Sequence, residues 1–269
     1  MWVRIPPGTQ SVTPQVDDVP VHPRHLRARA ISLKSAGVPF TEIYRTLGLS
    51  RNTVACWLYR SRSKIDSSPD RRCPFCARPA RPVDHPADYA YLLGMYLGDG
   101  HLLTTGRVPL LRVACDLRYP RVIAEVGDAM RACGARVVGH QRREGRDDVR
   151  SSWMHWPCLL PQHGPGKKHE RAIRLVPWQQ RIVDAHPGRF LRGLFHSDGC
   201  RTTNRIVRAG REYVYPRYQF VNESSDIMRL CQESLNELGV RWRMGRRTML
   251  SVARRDDVAE LDRHVGAKC

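Results

Sequence analysis

The chain has 269 residues, enough to bury a sizeable core in one large or two smaller domains, and carries a formal net charge of +19. A cationic surplus of that size, mostly arginine, calls for a polyanionic partner, because the arginine fork suits phosphate oxygens and guanine edges. Nine cysteines without the dense spacing of a disulfide scaffold fit a reducing cytosol, and no apolar run reaches the roughly 18 residues that span a bilayer. A soluble, cytoplasmic, nucleoid-associated protein is the expectation.

Residues 1–22 hold several prolines and no periodicity, and are expected to form a disordered tail without the apolar stretch of a secretion signal. Residues 23–62 then show three short helical patterns. The first starts near Arg29, has Ile31 and Leu33 among its apolar positions and stops at Gly37. The second runs from about Thr41 to Leu47 with Ile43 and Leu47 inward, and Gly48 supplies a tight turn, since glycine accepts positive φ at no steric cost. Ser50 caps the third, Arg51 to Tyr59, with Val54, Trp57 and Leu58 on one face. This spacing resembles a helix-turn-helix of the resolvase and regulator type. The resemblance implies that the third helix enters the major groove, with Arg51, Asn52 and Thr53 at base edges and Arg60 and Arg62 at phosphates. Tyr44 departs from the pattern, which usually has a small residue at the helix crossing.

Residues 63–86 read as a linker rich in Pro, Arg, Ser and Asp that contains Cys73-Pro-Phe-Cys76. Two thiolates at that spacing can share one Zn²⁺, and a tetrahedral site needs two further ligands. His85, His155, Cys158 and His163 are the candidates, and a metal-free turn is the alternative.

Beyond the linker the chain repeats itself. Leu92-Leu-Gly-Met-Tyr-Leu-Gly-Asp99-Gly100 returns as Leu191-Arg-Gly-Leu-Phe-His-Ser-Asp198-Gly199, with the acidic residues 99 positions apart. After Asp99 a hairpin is expected over about 101–105 and 109–116, then a helix over 119–133 ending at Gly134, then a strand from Arg136. After Asp198 the same order is expected: a hairpin over 203–209 and 213–221, a helix over 224–238 ending at Gly239, and a strand over Arg241–Met244. Closing helices are expected near Trp178–Ala185 and Arg255–Val265. Each half thus reads αββαββα, which predicts a duplicated α+β domain with pseudo-two-fold symmetry, repeat 1 over 87–186 and repeat 2 over 187–269, beside the small all-α module.

Over residues 87–269 the chain resembles the single-chain, two-motif LAGLIDADG homing endonucleases. The resemblance implies that the two motif helices pack side by side, which requires Gly94 and Gly193 for close backbone approach, with Gly98 and Ser197 serving the same seam. It also implies that Asp99 and Asp198 meet at the base of that seam and hold Mg²⁺ for hydrolysis of both strands of a DNA duplex. The sixth motif place, acidic in the name sequence, is Leu97 in one copy and His196 in the other. Lys167, Lys168 and Arg201 are candidates for a basic residue in the pocket or on phosphate. Period-two alternation places Arg217 and Gln219, and Arg241 and Arg243, on a sheet face suited to double-stranded DNA.

Two motif copies in one chain predict a monomeric catalytic fold, and dimerisation through the N-terminal module stays open. Three functions fit these features. One is a Mg²⁺-dependent, site-specific DNA endonuclease. The second is a non-catalytic transcriptional regulator that retains the fold, and the third is an RNA-binding or splicing-assisting protein.

Overall fold

The computed structural model describes residues 24–55, 57–58, 73, 83–266 and 268. They fall into two compact units, one within Met1–Ser67 and one within Ser68–Cys269. The tail over 1–22, Arg60, Arg62 and Cys76 lie outside the described residues.

In the first unit, α1 (Arg24–Ser35), α2 (Phe40–Thr46) and α3 (Arg51–Ala55) pack around fully buried Ala30, Ile43 and Val54. Gly37 (φ +80°) and Gly48 (φ +63°) end the first two helices in the left-handed conformation. The Ser50 hydroxyl accepts the Thr53 amide at 3.1 Å, which satisfies one of the orphan donors at the start of α3. Ile31 is 46 % exposed, and Ala30 takes the buried place on that helix.

The second unit is a duplicated α+β fold. Its first half is α4 (Pro86–Leu97), β1 (Gly100–Leu103), β2 (Leu110–Asp116), α5 (Pro120–Ala132), β3 (Gly139–Arg143), β4 (Arg146–Ser152), a short α6 (Trp156–Leu159) and α7 (Pro177–Ala185). Its second half is α8 (Pro187–Asp198), β5 (Gly199–Arg208), β6 (Arg211–Val221), α9 (Ser225–Glu237), β7 (Arg243–Arg246), β8 (Met249–Val252) and α10 (Arg255–His264). The two antiparallel sheets share one topology, β1-β2-β4-β3 and β5-β6-β8-β7. Apart from α6 and a 3₁₀ turn at Lys168–Glu170, the halves correspond element for element.

The packing follows from apolar spacing. Every residue of α4 from Tyr89 to Leu97 is buried, as befits a helix enclosed on all sides. By contrast α5 and α9 are amphipathic and turn Val122, Val126, Ala129 and Met130, or Ile227, Leu230, Cys231 and Leu235, to the core. In β2, Leu111, Val113 and Cys115 alternate inward.

Two strands start later than the sequence reading expects, at Gly139 and Arg243 rather than Arg136 and Arg241. Both follow helices that end at a positive-φ glycine, Gly134 (φ +104°) and Gly239 (φ +67°). The next amides bond back into the helix, Ala135 to the Met130 carbonyl at 3.1 Å and Val240 to the Leu235 carbonyl at 2.9 Å. That closure commits the residues after the glycine to the helix end, so Val137 stays 74 % exposed and ladder pairing begins further on.

Candidate active site at the helix seam

Helices α4 and α8 meet through their glycines. A Cβ built on Gly94 would lie 2.5 Å from the Phe190 carbonyl oxygen and 2.9 Å from the Gly193 Cα. One built on Gly193 would overlap the Tyr91 carbonyl oxygen and lie 2.9 Å from the Gly94 Cα and the Met95 nitrogen. At Gly98 it would collide with the Ser197 side chain and come within 2.9 Å of Asp198 Oδ2. Charge reinforces the seam. Glu125 of α5 accepts from Arg189 Nη1 and Arg192 Nη2 of α8, each at 2.8 Å, and Arg189 Nη2 reaches Asp88 of α4 at 2.9 Å. His196 is buried there with Nδ1 3.2 Å from the Tyr91 hydroxyl, and desolvation pushes its pKa down to about 4. The sixth motif place thus serves packing in both copies, since Leu97 is also buried.

Both motif helices end in a sharp reversal. A Cβ on Gly100 would strike Tyr96 of its own helix, and one on Gly199 would strike Phe195. Glycine after the aspartate therefore lets the chain fold straight into β1 or β5. The reversal delivers Asp99 and Asp198 to the foot of the seam. Desolvation, followed by the charge of Asp198, raises Asp99 to about 6. Desolvation also raises Asp198, against a 2.7 Å hydrogen bond from Asn222 Nδ2 and the charges of Lys168 and Lys268. The β1–β2 and β5–β6 registers put Cys115 at the position in the first half that Asn222 holds in the second. The two half-sites therefore differ: Asn222 donates to Asp198, while the charge of Asp99 helps raise the Cys115 thiol to about 12, after desolvation.

Two lysines complete the group. Lys168 donates to the carbonyls of Tyr96 and Gly98, the latter at 2.7 Å, and its ammonium lies 5.1 Å from the Tyr96 ring centre. Lys268 donates to the Ser197 carbonyl at 3.2 Å. Each lysine thus binds the last carbonyls of one motif helix, where the helix dipole favours a cation. Desolvation lowers Lys168 to about 8, and both aspartates oppose the shift. Lys268 is lowered for the same reason against the pull of Asp99. The sequence reading did not single out Lys268. Its signal was the spacing, since Lys168 lies 69 positions beyond Asp99 and Lys268 lies 70 beyond Asp198. Lys168, Asp198 and Asn222 line one open recess of 250 Å³ beside the seam.

The other expected positions divide. Strand pairing puts Arg217 and Gln219 on one sheet face with Thr202 and Cys200, and Ser251 brings Arg243 to the same face. Arg241, expected on that face, and Arg201, expected in the pocket or on phosphate, are elsewhere. Arg201 pairs across from buried Tyr218, on the helix-covered side, and its Nε and Nη2 bind Asp262 of α10 at 2.7 and 2.9 Å. Arg241 precedes β7 and binds buried Asp257 of α10 at 3.0 Å. The alternation that sets Arg217 on the open face sets Arg201, itself still exposed, on the helix-covered face, and the helix end after Gly239 takes Arg241 out of the strand. Lys167 is exposed beside Glu170, at 3.6 Å. In the first unit Arg51 and Asn52 are exposed and Thr53 is half-buried.

The open face of the first sheet carries a cluster that the sequence reading missed. Fully buried Asp148 sits 3.8, 3.5 and 3.4 Å from Arg112, Arg143 and Arg146. Its signal was the period-two pairing of those residues across β2, β4 and β3. Among the candidate zinc ligands, Cys73, His155 and Cys158 converge, with donor atoms all within 4.8 Å of one another. His163 instead faces Thr104 Oγ1 at 3.4 Å, and His85 stands at the N-cap of α4. Among the described residues no helix is long and apolar enough to cross a membrane.

No family model and no curated protein matches the chain. Solved structures do. The structure of I-DmoI in complex with DNA and Mn is 15 % identical, with 68 % of this chain and 98 % of that one covered at a TM-score of 0.44. A variant of I-SmaMI is 8 % identical over 66 % of this chain and 85 % of that one, at 0.45. The N-terminal LAGLIDADG domain of DUF199/WhiA is 12 % identical over 70 % of this chain and 87 % of that one, at 0.43. On the elements described above, the second unit of this chain is a duplicated α+β fold, two αββαββα halves with one sheet topology, as the sequence predicts.

Proposed function

We propose that this protein binds double-stranded DNA and hydrolyses both of its strands in a Mg²⁺-dependent reaction at Asp99 and Asp198. The observation that supports this reading is the meeting of the two aspartates at the foot of a glycine-tight seam, between Lys168 and Lys268. A net charge of +19 supplies the attraction to a polyanion.

The residues fit a hard cation. Two carboxylates raised by desolvation, one of them also by its neighbour's charge, would be stabilised by bound divalent metal, and Mg²⁺ takes one or two carboxylates together with substrate phosphate oxygens. Bound there, the ion would polarise a scissile phosphate and lower the pKa of a water. Asp99 and Asp198 would hold the metal, each aspartate serving one strand. Lys168 and Lys268, fixed on helix-end carbonyls, stabilise charge that builds on the phosphate oxygens. With its pKa near 8, Lys168 is mostly protonated at neutral pH and has a proton within reach of a leaving oxygen. Asn222 holds the orientation of Asp198.

Arg217, Gln219 and Arg243 on one open sheet face, and the arginines around Asp148 on the other, grip the duplex. Lys167 adds a phosphate contact. In the first unit, Arg51 and Asn52 at the start of α3, with Thr53 and Arg60, read bases and phosphates in the manner of a helix-turn-helix. One chain carries both aspartates, so one chain makes the double-strand break.

The test is incubation of the protein with fragments of its own genomic locus and Mg²⁺, read as a discrete double-strand break. Asp198→Asn should reduce cleavage by on the order of 10²–10³-fold while binding changes little. A wild type that binds one site tightly and never cuts would overturn the nuclease and leave a DNA-binding regulator.

A further inference from the structure

We propose that Cys73, His155 and Cys158 form a zinc site that ties the chain ahead of α4 to the loop after β4. The site does not depend on the nuclease reading.

The ligands come from segments 82 residues apart, and Cys73 Sγ lies 3.2 Å from His155 Nδ1. In a tetrahedral zinc site with ordinary Zn–S and Zn–N bonds, a sulfur and a nitrogen ligand lie about 3.5 Å apart and two sulfurs about 3.8 Å. The observed group, with every donor within 4.8 Å of the others, closes on that geometry with shifts of well under an ångström per side chain about the ion.

Local sequence explains the convergence. His155 stands at the N-cap of α6, and its carbonyl accepts the amides of Cys158 at 3.0 Å and Leu159 at 3.1 Å. That single turn puts residues i and i+3 side by side, the spacing of a zinc knuckle. The turn is held from below, because Trp156 is fully buried and its indole N–H donates to the Ser151 carbonyl at 3.0 Å. Trp153 packs edge-on against the His155 ring at 5.0 Å and against Trp156 at 5.2 Å, which walls one side of the group with apolar surface. Cys73 itself is buried. Two thiols and an imidazole are soft and borderline donors, so the site selects zinc over the Mg²⁺ proposed at the aspartates. Binding releases the two thiol protons to solvent and involves no redox change. A plain hydrogen bond from Cys73 to His155 is the competing account, and it requires neither the turn at His155 nor the approach of Cys158.

The experiment measures zinc in untagged protein expressed in zinc-supplemented medium and purified without chelator. About one zinc per chain is expected in the wild type, and roughly a tenth of that or less in Cys73→Ser and Cys158→Ser. Asp99→Asn and Asp198→Asn should keep the full complement, which separates this site from the seam. If the serine variants fail to fold, Co²⁺ added to chelated wild-type protein gives an independent reading. Intense visible bands with a near-ultraviolet thiolate-to-cobalt band support the site. A wild type without zinc whose Co²⁺ spectrum lacks the thiolate band, or zinc that survives both serine substitutions, overturns it.

Discussion

Replacing Gly193 by alanine puts a methyl group where the Tyr91 carbonyl oxygen, the Gly94 Cα and the Met95 nitrogen already sit, the last two at 2.9 Å. All three are backbone atoms of the facing helix, so no rotamer change relieves the contact and the helices have to separate. Overpacking costs about 1–3 kcal/mol, and more where backbone must move, while alanine recovers about 1 kcal/mol of helix propensity. Taken at the upper end of that range, because backbone must move, the net loss is about 2 kcal/mol. At roughly 2–4 °C per kcal/mol for a domain of this size, the melting temperature falls by about 4–8 °C. The assay is thermal unfolding at several scan rates, with Gly139→Ala as the control, because a Cβ at Gly139 meets nothing within 4 Å. The control should stay within about 0.5 kcal/mol of wild type. Spreading the seam also draws Asp99 and Asp198 apart, so cleavage should fall by more than the lost stability explains. Equal melting temperatures for the two variants would refute the close approach of α4 and α8, and with it the shared site.

Three other outcomes follow from the same geometry. Because Asp99 titrates near 6 in the fold, protons compete with the cation, and cleavage at limiting Mg²⁺ should fall about tenfold per pH unit below 6. The folded value lies above the unfolded one, so in metal-free protein this carboxyl stabilises the fold below about pH 4 and that contribution is lost as the pH rises through 6; Asp99→Asn should flatten this slope in a melting series. Arg201→Ala and Asp262→Ala should be strongly non-additive in a stability cycle and leave the salt dependence of DNA binding unchanged, whereas Arg217→Ala should lower the salt slope by about one.

Much of the fold was legible because it depends on local rules. The glycines at 37, 48, 134 and 239 each close a helix, and strand alternation in β2 and β6 follows the buried face. The errors lie where a helix end and a strand compete for the same residues. At 135–138 and 240–242 the apolar and basic alternation looks like strand, but the amide of the residue after the glycine is already spent on the helix. Arg241 was misplaced for that reason, while the face of Arg201 is fixed by the register with β6, which sequence alone does not set.

The candidate site was legible in its acidic half, and of its two lysines only Lys168 was among the candidates. A repeated Asp-Gly at the end of two apolar helices marks Asp99 and Asp198, since few other roles need glycine both within such a helix and after its last acid. The lysines carry no comparable mark, because a side chain that binds helix-end carbonyls can come from any segment that passes there. Lys168 arrives from a loop after α6 and Lys268 from beyond α10, and only the repeat relates them. The duplication also conceals a difference, in that Asn222 donates to Asp198 while Cys115 holds the matching place beside Asp99. A hydrogen bond to the charged form keeps Asp198 easier to ionise, and a buried thiol offers Asp99 no such help. The half-site at Asp198 therefore ionises more readily than the one at Asp99, and below about pH 6 the protein should nick the strand served by Asp198 before it cuts the other. Strand-specific labels on one duplex measure this directly, and equal rates for the two strands across that range would show that the asymmetry has no catalytic consequence.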